Sequence, residues 1–161
     1  MITNDRDSVR IRPVEASQIA ELIRIAEETN LSEWSAQSYL DEMKNPDATM
    51  LSLVGADNST LGFIVGRFVT GGEIETLVDA EIYNIAIAES HQQKGFGQLI
   101  FNAFVAACEA KQTSNIWLEV RESNEKAIAF YEKNGFCRIQ TRPFFYEDPR
   151  EHAILMKLKL K

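Results

Sequence analysis

The most constraining feature of this sequence is a strand pattern that runs into a glycine-containing loop and then into a helix pattern. Residues 82–87 are strongly apolar, residues 92–97 are polar and include Gly95 and Gly97, and apolar residues recur at helical spacing over residues 98–111. The first turn of a helix has unpaired N–H groups and positive partial charge, and glycine lets the backbone come close to a ligand. The segment therefore predicts an anion site suited to a phosphate group.

This loop alone leaves an ordinary strand-to-helix turn equally open, because many loops need two glycines. It is not a dinucleotide-binding fingerprint, which would need glycine where Ile100 stands, and no Gly-Lys-Ser/Thr sequence follows as in a Walker loop. The choice between a phosphate site and a plain turn depends on the rest of the chain.

Strand and helix patterns alternate along the remaining sequence, without an internal repeat, a low-complexity tract or a linker. Apolar runs predict strands over residues 9–14, 49–55, 61–69, 75–88, 115–120, 136–140 and 153–160, and turn residues follow at 56–60 and 70–72. Helical spacing predicts helices from Ser17 to residue 28, from Ser35 to residue 43, over residues 98–111, and from Ser123 or Asn124 to Gly135. The order β-α-α-β-β-β-α-β-α-β-β predicts one mixed α/β (α+β) domain over residues 1–161.

Composition and charge exclude several classes of function. The chain has 161 residues, of which 45% are hydrophobic and 25% charged, so it can bury a full apolar core. A net charge of −7 argues against a nucleic-acid-binding protein, which needs a basic face, and favours a small-molecule substrate or a basic partner. No apolar run approaches the ~18 residues of a membrane span, and the polar N-terminus does not resemble a signal peptide.

Cysteine and histidine are too few and too scattered for a disulfide framework or a metal site. The two cysteines, Cys108 and Cys137, and the two histidines, His91 and His152, have no ligand-spaced neighbours. No Ser/His/Asp or Cys/His constellation is present, which argues against a covalent acyl-enzyme. We therefore expect a cytoplasmic protein without a bound metal.

Further motifs set the glycine loop in a known context. The loop has the form Gln92-x-x-Gly95-x-Gly97, and downstream come Trp117-Leu118-Glu119-Val120, Ser123-Asn124 and Ala127-Ile128-Ala129-Phe130-Tyr131-Glu132-Lys133-Asn134-Gly135-Phe136. This set resembles the GNAT acyltransferase superfamily over about residues 8–160, most strongly over residues 82–136. The resemblance implies the GNAT fold, with a central mixed sheet of about seven strands flanked by about four helices, and acetyl-CoA as cosubstrate. It also implies contacts to acetyl-CoA from Ile85, Ala86, Ile87, Gln92, Gln93, Lys94, Gly95, Phe96, Gly97, Gln98, Asn124 and Tyr131.

Within that superfamily the sequence resembles the ribosomal-protein-alanine N-acetyltransferases. The matching pieces are Trp34-Ser35, Asn84-Ile85-Ala86, residues 117–121, Ser123-Asn124 and a tail over residues 150–156. The resemblance implies acetyl transfer to the α-amine of a protein N-terminus, with ribosomal protein S18 as the type substrate. Two acceptor-side segments depart from the family, which usually has Phe-Pro-Trp where Ser32-Glu33-Trp34 stands and Tyr-Tyr where Phe144-Phe145 stands. The residues expected on the acceptor side are Leu31, Trp34, Glu81, Tyr83, Asn84, Phe145 and Tyr146.

Two residues are candidates for proton transfer. Glu119 ends an otherwise apolar strand pattern, where a carboxylate could deprotonate an ammonium, although it could instead face solvent or pair with Arg121 or Lys126. By the resemblance, Glu119 is the general base and Tyr131 is the general acid that protonates the departing thiolate; on its own, Tyr131 could equally be a core aromatic residue. Glu81 is the alternative base. Asn124 could cap its helix, contact the cofactor or do both.

Three functions remain open at this point. The first is an acetyl-CoA-dependent N-acetyltransferase that acts on a protein or peptide N-terminus through direct attack in a ternary complex. The second is a GNAT enzyme for a small amine, such as an amino acid, a polyamine or an antibiotic. The third is a non-catalytic acetyl-CoA-binding module, which would be expected to have lost the glycines, Glu119 or Tyr131. All of these residues are present.

Overall fold

The structure, a computed structural model, describes residues 8–70 and 77–160. Within these residues, a seven-stranded sheet lies between two pairs of α-helices. The strands are β1 (Arg10–Pro13), β2 (Ala48–Val54), β3 (Thr60–Thr70), β4 (Val78–Ile87), β5 (Asn115–Arg121), β6 (Cys137–Glu147) and β7 (Arg150–Lys159). The helices are α1 (Ile19–Glu28), α2 (Ala36–Lys44), α3 (Phe96–Ala110) and α4 (Glu125–Lys133).

The element order predicted from the sequence is confirmed for the described residues, and with it the mixed sheet flanked by four helices. Residues 71 and 72 of a predicted turn and residues 75 and 76 of a predicted strand lie outside the described part. Helix α1 begins at Ile19 and not at Ser17, because Glu15 and Gln18 form a reciprocal capping pair around a short 3-10 turn. Ser35 caps α2 as predicted, through its Oγ and the backbone N–H of residue 38 at 3.1 Å.

Each face of the sheet has its own apolar core. Strand β3 is buried on both sides, so that Phe63 and Val65 face α1 and α2 while Ile64 faces α3 and α4. The α3–α4 core includes Phe104 of α3 and Ile128 of α4. Burial on both faces explains why β3 appears in the sequence as a continuous apolar run and not as an alternating one.

The strand order β1-β2-β3-β4-β5-β7-β6 contains one parallel pair, β4 with β5, and five antiparallel pairs. A parallel pair needs a crossover, which α3 supplies. The crossover brings the carboxyl ends of β4 and β5 to one edge of the sheet. The glycine loop, which connects β4 to α3, therefore begins at that same edge.

Strands β6 and β7 form a hairpin that is longer than the sequence predicted. The prediction ended the first of these strands at residue 140, but pairing continues to Glu147 with Arg150. Register shifts between Arg138 and Gln140 and between Arg142 and Tyr146 interrupt the alternation that marks a strand in sequence. None of the described helices is long and apolar enough to cross a membrane.

Candidate active site

The candidate site lies where β4 and β5 separate. The two strands pair only over residues 80–82 and 116–118, although β4 continues to Ile87 and β5 to Arg121. A bulge in β4 falls at Tyr83, because Val65 pairs with Asn84 while Gly66 pairs with Ile82. The separation opens a space between two strand ends and leaves the edge of β4 that faces β5 without a strand partner beyond Ile82.

Two connected clefts occupy this space. The larger, of about 280 Å³, is bordered by aromatic residues of the acceptor side predicted from the sequence. The smaller, of about 90 Å³, extends toward α4. Both are lined by Ser32, Ile82, Tyr83, Asn84, Leu118, Glu119 and Tyr146. Because these residues border both clefts, a molecule in one cleft can reach a molecule in the other.

Glu119 lies at the junction of the two clefts and is partly exposed, with 24% of its side-chain surface accessible. Its Oε1 accepts a hydrogen bond from Arg142 of β6. As the alternative to a catalytic role, the sequence suggested exposure to solvent or pairing with Arg121 or Lys126; the carboxylate is paired, but with neither of these two residues. Arg121 instead bonds the tip of the β6–β7 hairpin, and Lys126 donates to Gln92 at 3.0 Å.

Tyr131 enters the smaller cleft from α4 and is almost fully buried, with 7% of its surface exposed. Its ring packs against Phe130 and Phe136. Burial raises the pKa of the hydroxyl well above its usual value, and the neighbouring Tyr146 raises it further. The hydroxyl is therefore protonated at neutral pH and can act as a proton donor.

Glu81, the alternative base, lies on the opposite strand and lines the larger cleft only. Its Oε2 accepts a hydrogen bond from the Tyr83 hydroxyl at 2.8 Å. Burial and this bond raise the pKa of Tyr83 to about 12. The Tyr83 ring also lies under the guanidinium of Arg67, which pairs with the buried carboxylate of Glu42.

Asn84 is 3% exposed and lines both clefts. Within the described part of the chain, its side-chain nitrogen is buried and has no hydrogen-bond acceptor. An unsatisfied buried donor costs about 1–3 kcal/mol, so it needs an explanation. The nitrogen is closed off from the clefts as well as from solvent, so a ligand oxygen could reach it only after the surrounding side chains rearrange.

The acceptor-side aromatic residues predicted from the sequence gather around the larger cleft. Trp34, Tyr83, Phe145 and Tyr146 all line it, and Trp34 stacks near Tyr83 with ring centroids 6.1 Å apart. Leu31 lines the smaller cleft instead. The side chain of Phe144, one of the two phenylalanines at the family's Tyr-Tyr position, is largely exposed and packs on His152 outside the clefts.

The glycine loop follows β4 beyond the clefts and lines neither of them. Gly95 has φ 82° and stands at the N-cap of α3 without a side-chain cap, so backbone N–H groups of the first turn are open to a ligand. A Cβ on Gly97 would meet only Ile87 and Phe130, at 3.9 Å, which is ordinary van der Waals contact. Packing inside the protein therefore does not require glycine at residue 97, whereas the approach of a ligand would.

Side chains around the loop hold it against its neighbours. Gln92 donates to the carbonyl of Ile87 at 3.0 Å, while Gln93 and Lys94 are exposed. Phe96 is buried in the core. The Gln98 side chain bonds Asn134 at the end of α4, so its predicted contact with a cofactor would have to use its backbone.

The remaining predicted cofactor residues lie along β4 and at the start of α4. Ile85 borders the smaller cleft, and Ala86 and Ile87 continue the strand to the loop. Asn124 caps α4, since its Oδ1 accepts from the N–H of Ala127 at 3.2 Å, and it also lines the smaller cleft. The helix cap predicted for Asn124 is thus confirmed. Because Asn124 also borders the smaller cleft, a ligand in that cleft can contact it.

Three further residues of the site were not expected there from the sequence. Trp117 lines the larger cleft and donates its indole N–H to Asp79 at 2.9 Å. Arg142 and Arg67 reach the site from strands that are distant in sequence. Nothing in the local pattern around these residues identifies them, because their roles depend on strand pairing.

The fold and the site define an acetyltransferase. The family model described as "Acetyltransferase (GNAT) family" matches residues 18–136, and the chain therefore belongs to this family.

Several relatives are named ribosomal protein bS18-alanine N-acetyltransferases. The chain is 32% identical over 149 residues to the ribosomal protein bS18-alanine N-acetyltransferase of Haemophilus influenzae. This alignment covers 91% of this chain and 95% of that protein. The crystal structure of the ribosomal-protein-S18-alanine N-acetyltransferase from Escherichia coli superposes with a TM-score of 0.81 at 25% identity, over 95% of this chain and 94% of that one. Ard1 from Thermoplasma volcanium superposes with a TM-score of 0.84 at 27% identity, over 96% and 99%. The predicted resemblance is confirmed.

Proposed function

We propose that this enzyme transfers acetyl from acetyl-CoA to the α-amine of a protein N-terminus, by direct attack of the amine in a ternary complex. The carrying observation is that Glu119 of β5 and Tyr131 of α4 line the same cleft where β4 and β5 separate. A carboxylate that can accept a proton and a hydroxyl that can donate one therefore border a single space. The names of the relatives support a ribosomal protein as acceptor.

Most of the proposed contacts to acetyl-CoA come from backbone groups and not from side chains. The N–H groups at the start of α3 would hold the pyrophosphate of acetyl-CoA, with Gly95 and Gly97 allowing the approach. The unpaired edge of β4 at residues 85–87 offers hydrogen bonds to the amide groups of the pantetheine arm, as a strand edge does to an added strand. Asn124 would contact the same arm from α4.

Proton transfer in this proposal needs one base and one acid. The α-ammonium, with a pKa of about 7.7–8.0, loses a proton to Glu119, and the free amine attacks the thioester carbonyl. Attack gives a tetrahedral intermediate whose C–S bond then breaks, and the Tyr131 hydroxyl gives its proton to the leaving CoA thiolate, whose conjugate acid has a pKa of about 8.5. The nitrogen loses its second proton to water as the amide forms, and water returns a proton to Tyr131. Holding the two reactants together in adjoining clefts supplies a further part of the rate enhancement.

The acceptor would lie in the larger cleft. Its lining combines aromatic rings with the carboxylates of Glu81 and Glu119, which suits a positively charged amine beside apolar atoms. Asn84 borders this cleft, and a rearrangement of its surroundings on ligand binding would let its side-chain nitrogen donate to a carbonyl oxygen of the acceptor or of the acetyl group. A cytoplasmic location, where ribosomal proteins and acetyl-CoA are both available, is part of the same proposal.

An acceptor screen tests this function. The purified protein is incubated with acetyl-CoA and peptides that begin with alanine, and mass spectrometry locates the acetyl group. Each peptide also contains a lysine, whose side-chain amine is a competing acceptor. The matched control is the same peptide with a blocked α-amine. We expect acetylation of the free N-terminus only. Turnover of an amino acid or polyamine without any peptide would favour the small-amine enzyme, and binding of acetyl-CoA without any turnover would favour a non-catalytic module.

A pair of isosteric variants tests the choice of base. Glu119→Gln should lower kcat by ~10²–10⁴, whereas Glu81→Gln should keep near-full kcat. Acetyl-CoA affinity, measured by calorimetry, should stay unchanged in both variants. If Glu81→Gln lowers kcat by that factor and Glu119→Gln keeps near-full kcat, the base is Glu81.

A further inference from the structure

Arg121, at the end of β5, joins that strand to the tip of the β6–β7 hairpin. Its Nη1 donates to the carbonyl of Pro149 at 3.0 Å, and its Nη2 donates to the carbonyl of Asp148 at 3.1 Å. It also forms an ion pair with Glu151 at 3.5 Å, in which both side chains are mostly buried. One guanidinium thus fixes three groups of the hairpin tip, a geometry that the planar fork of arginine allows.

Glu151 makes a second connection between the same two regions. Its Oε1 accepts a hydrogen bond from the backbone N–H of Ser123, in the turn between β5 and α4. This bond holds the pKa of the Glu151 carboxyl below its usual value. Ser123 precedes the cap of α4, the helix that carries Tyr131. The Arg121 side chain therefore ties the end of β5 to the hairpin tip, and the Glu151 side chain ties the hairpin to the turn before α4.

Arg121 itself borders the smaller cleft, and it reaches the junction of the two clefts through Tyr146. The Arg121 guanidinium lies over the Tyr146 ring, 4.1 Å from its centroid. Tyr146 lines both clefts, together with Glu119, and its ring packs edge-on against Phe145. Burial and the charge of Glu119 raise the pKa of its hydroxyl, so that this group is a hydrogen-bond donor at neutral pH.

We propose that Arg121 is a positioning residue for the acceptor: clamped to the hairpin tip, it holds Tyr146 at the junction of the two clefts. The inference rests on the proposed function and adds a residue that sets the geometry between the acceptor side and the donor side. The hairpin tip projects past the last β5–β7 pair, which is Arg121 with Ala153, so strand pairing to β5 does not hold it. Arg121 and Glu151 supply that hold.

Kinetics of Arg121 variants test the proposal. Arg121→Met should raise KM for an alanine-initiated peptide by roughly 10- to 100-fold, because misplaced binding groups cost about that much, while acetyl-CoA affinity stays within twofold. Arg121→Lys should recover part of the loss, since one ammonium keeps the charge but cannot reach two carbonyls and a ring together. The matched control is Arg138→Met, which breaks the exposed pair of the same hairpin with Glu132 of α4 at 2.8 Å and should match the unmodified enzyme.

A double-mutant cycle separates positioning from general stabilisation. If Arg121 acts through Tyr146, Arg121→Met should have a large effect on peptide kcat/KM in the native background and little effect once Tyr146→Ala is present. Equal effects in the two backgrounds, or equal losses of peptide and acetyl-CoA binding, would overturn the proposal and leave Arg121 a structural residue.

Hydrogen exchange provides a test that needs no substrate. Residues 144–151 should exchange faster in Arg121→Met than in the unmodified protein or Arg138→Met, because the tip loses its hold. Unchanged exchange would contradict the clamp even if activity fell. If the unmodified enzyme acetylates no peptide but the exchange result holds, the acceptor assignment is wrong while the clamp stands, and the kinetic test moves to the amine that is turned over.

Discussion

Burial decides what each tyrosine of the site can do. Tyr131 is enclosed by α4 and its neighbours, and its pKa lies well above the usual value. Tyr83, on the opposite side, is more exposed and gives its hydrogen to Glu81, which engages its hydroxyl in a fixed bond. Tyr131 lines the smaller cleft and its hydroxyl has no such fixed bond to a carboxylate among the hydrogen bonds of the described residues, and so it fits the acid step better than Tyr83.

Tyr131→Phe should lower kcat by ~10²–10⁴ while acetyl-CoA still binds, because the ring is kept and only the proton donor is lost. A raised pKa means that the proton stays on Tyr131 past the ordinary tyrosine value of about 10, so this residue should produce no descending limb in the pH–rate profile below about pH 10. Steady-state kinetics and calorimetry check both statements. A descending limb near pH 9 that disappears in Tyr131→Phe would contradict them.

Asn84→Leu should separate stability from activity. The side-chain nitrogen of Asn84 is buried without an acceptor in the described part of the chain, so an apolar residue of similar volume removes an unfavourable group. We expect an unchanged or higher Tm by calorimetry and a lower kcat/KM. A lower Tm with unchanged kinetics would mean that Asn84 serves the fold and not the ligand.

The sequence identified the two catalytic candidates but not the partner of Glu119. As one alternative to a catalytic role, the sequence offered pairing with cations that are near in sequence, yet Arg121 bonds the hairpin tip and Lys126 bonds Gln92. Arg142 reaches Glu119 because β7 places β6 near β5, a pairing that no local pattern encodes. The spacing of residues in the local sequence therefore cannot predict a residue's role when that role depends on the order of the strands in the sheet.

At the scale of elements, the site arises from β4 and β5, which pair briefly and then separate. Helical spacing and the glycine loop predicted α3 to within two residues at its start and one at its end, since local periodicity determines a long amphipathic helix. The separation itself could not be predicted, because it depends on the bulge at Tyr83 and on how many residues of two distant strands pair. For the same reason the extended β6–β7 hairpin was underestimated.

Substitution by alanine should have opposite effects at two glycines, Gly97 in the first turn of α3 and Gly135 just after α4. Gly97→Ala meets only ordinary contacts, so Tm should stay unchanged while acetyl-CoA affinity falls, because the methyl group would take up space that the proposal assigns to the phosphate. Gly135→Ala should lower Tm, because Gly135 has φ 93° after α4 and a Cβ there would lie 3.2 Å from Leu158. The folded Gly135→Ala protein should bind acetyl-CoA normally.

Thermal melts and calorimetric titration distinguish these outcomes. If Gly97→Ala is folded and binds acetyl-CoA with native affinity, the loop does not hold the pyrophosphate. If Gly97→Ala instead loses stability as Gly135→Ala does, its glycine serves the turn alone, which is the alternative that the sequence left open.

At the scale of the whole molecule, charge favours a basic acceptor. The sequence carries a net charge of −7, and the arginines nearest the clefts are paired: Arg67 with Glu42, Arg142 with Glu119, and Arg121 with Glu151. Because these local charges largely cancel, the excess of carboxylates over the whole surface dominates the field at a distance. A positively charged N-terminal segment is therefore drawn toward the enzyme before it contacts the clefts.

Salt should weaken turnover of a basic peptide more than that of a neutral one. Two peptides with the same first three residues, one followed by lysines and arginines and the other by serines and glutamines, are compared from low ionic strength to about 0.5 M salt. The Debye length falls from roughly 30 Å at 0.01 M to below about 8 Å over this range, so steering of the basic peptide is lost and its kcat/KM should fall toward that of the neutral peptide. The kcat values should stay nearly constant, because steering acts on encounter and not on the chemical step. Parallel salt profiles for the two peptides would show that recognition depends on the first residues in the cleft and not on the charge of the whole molecule.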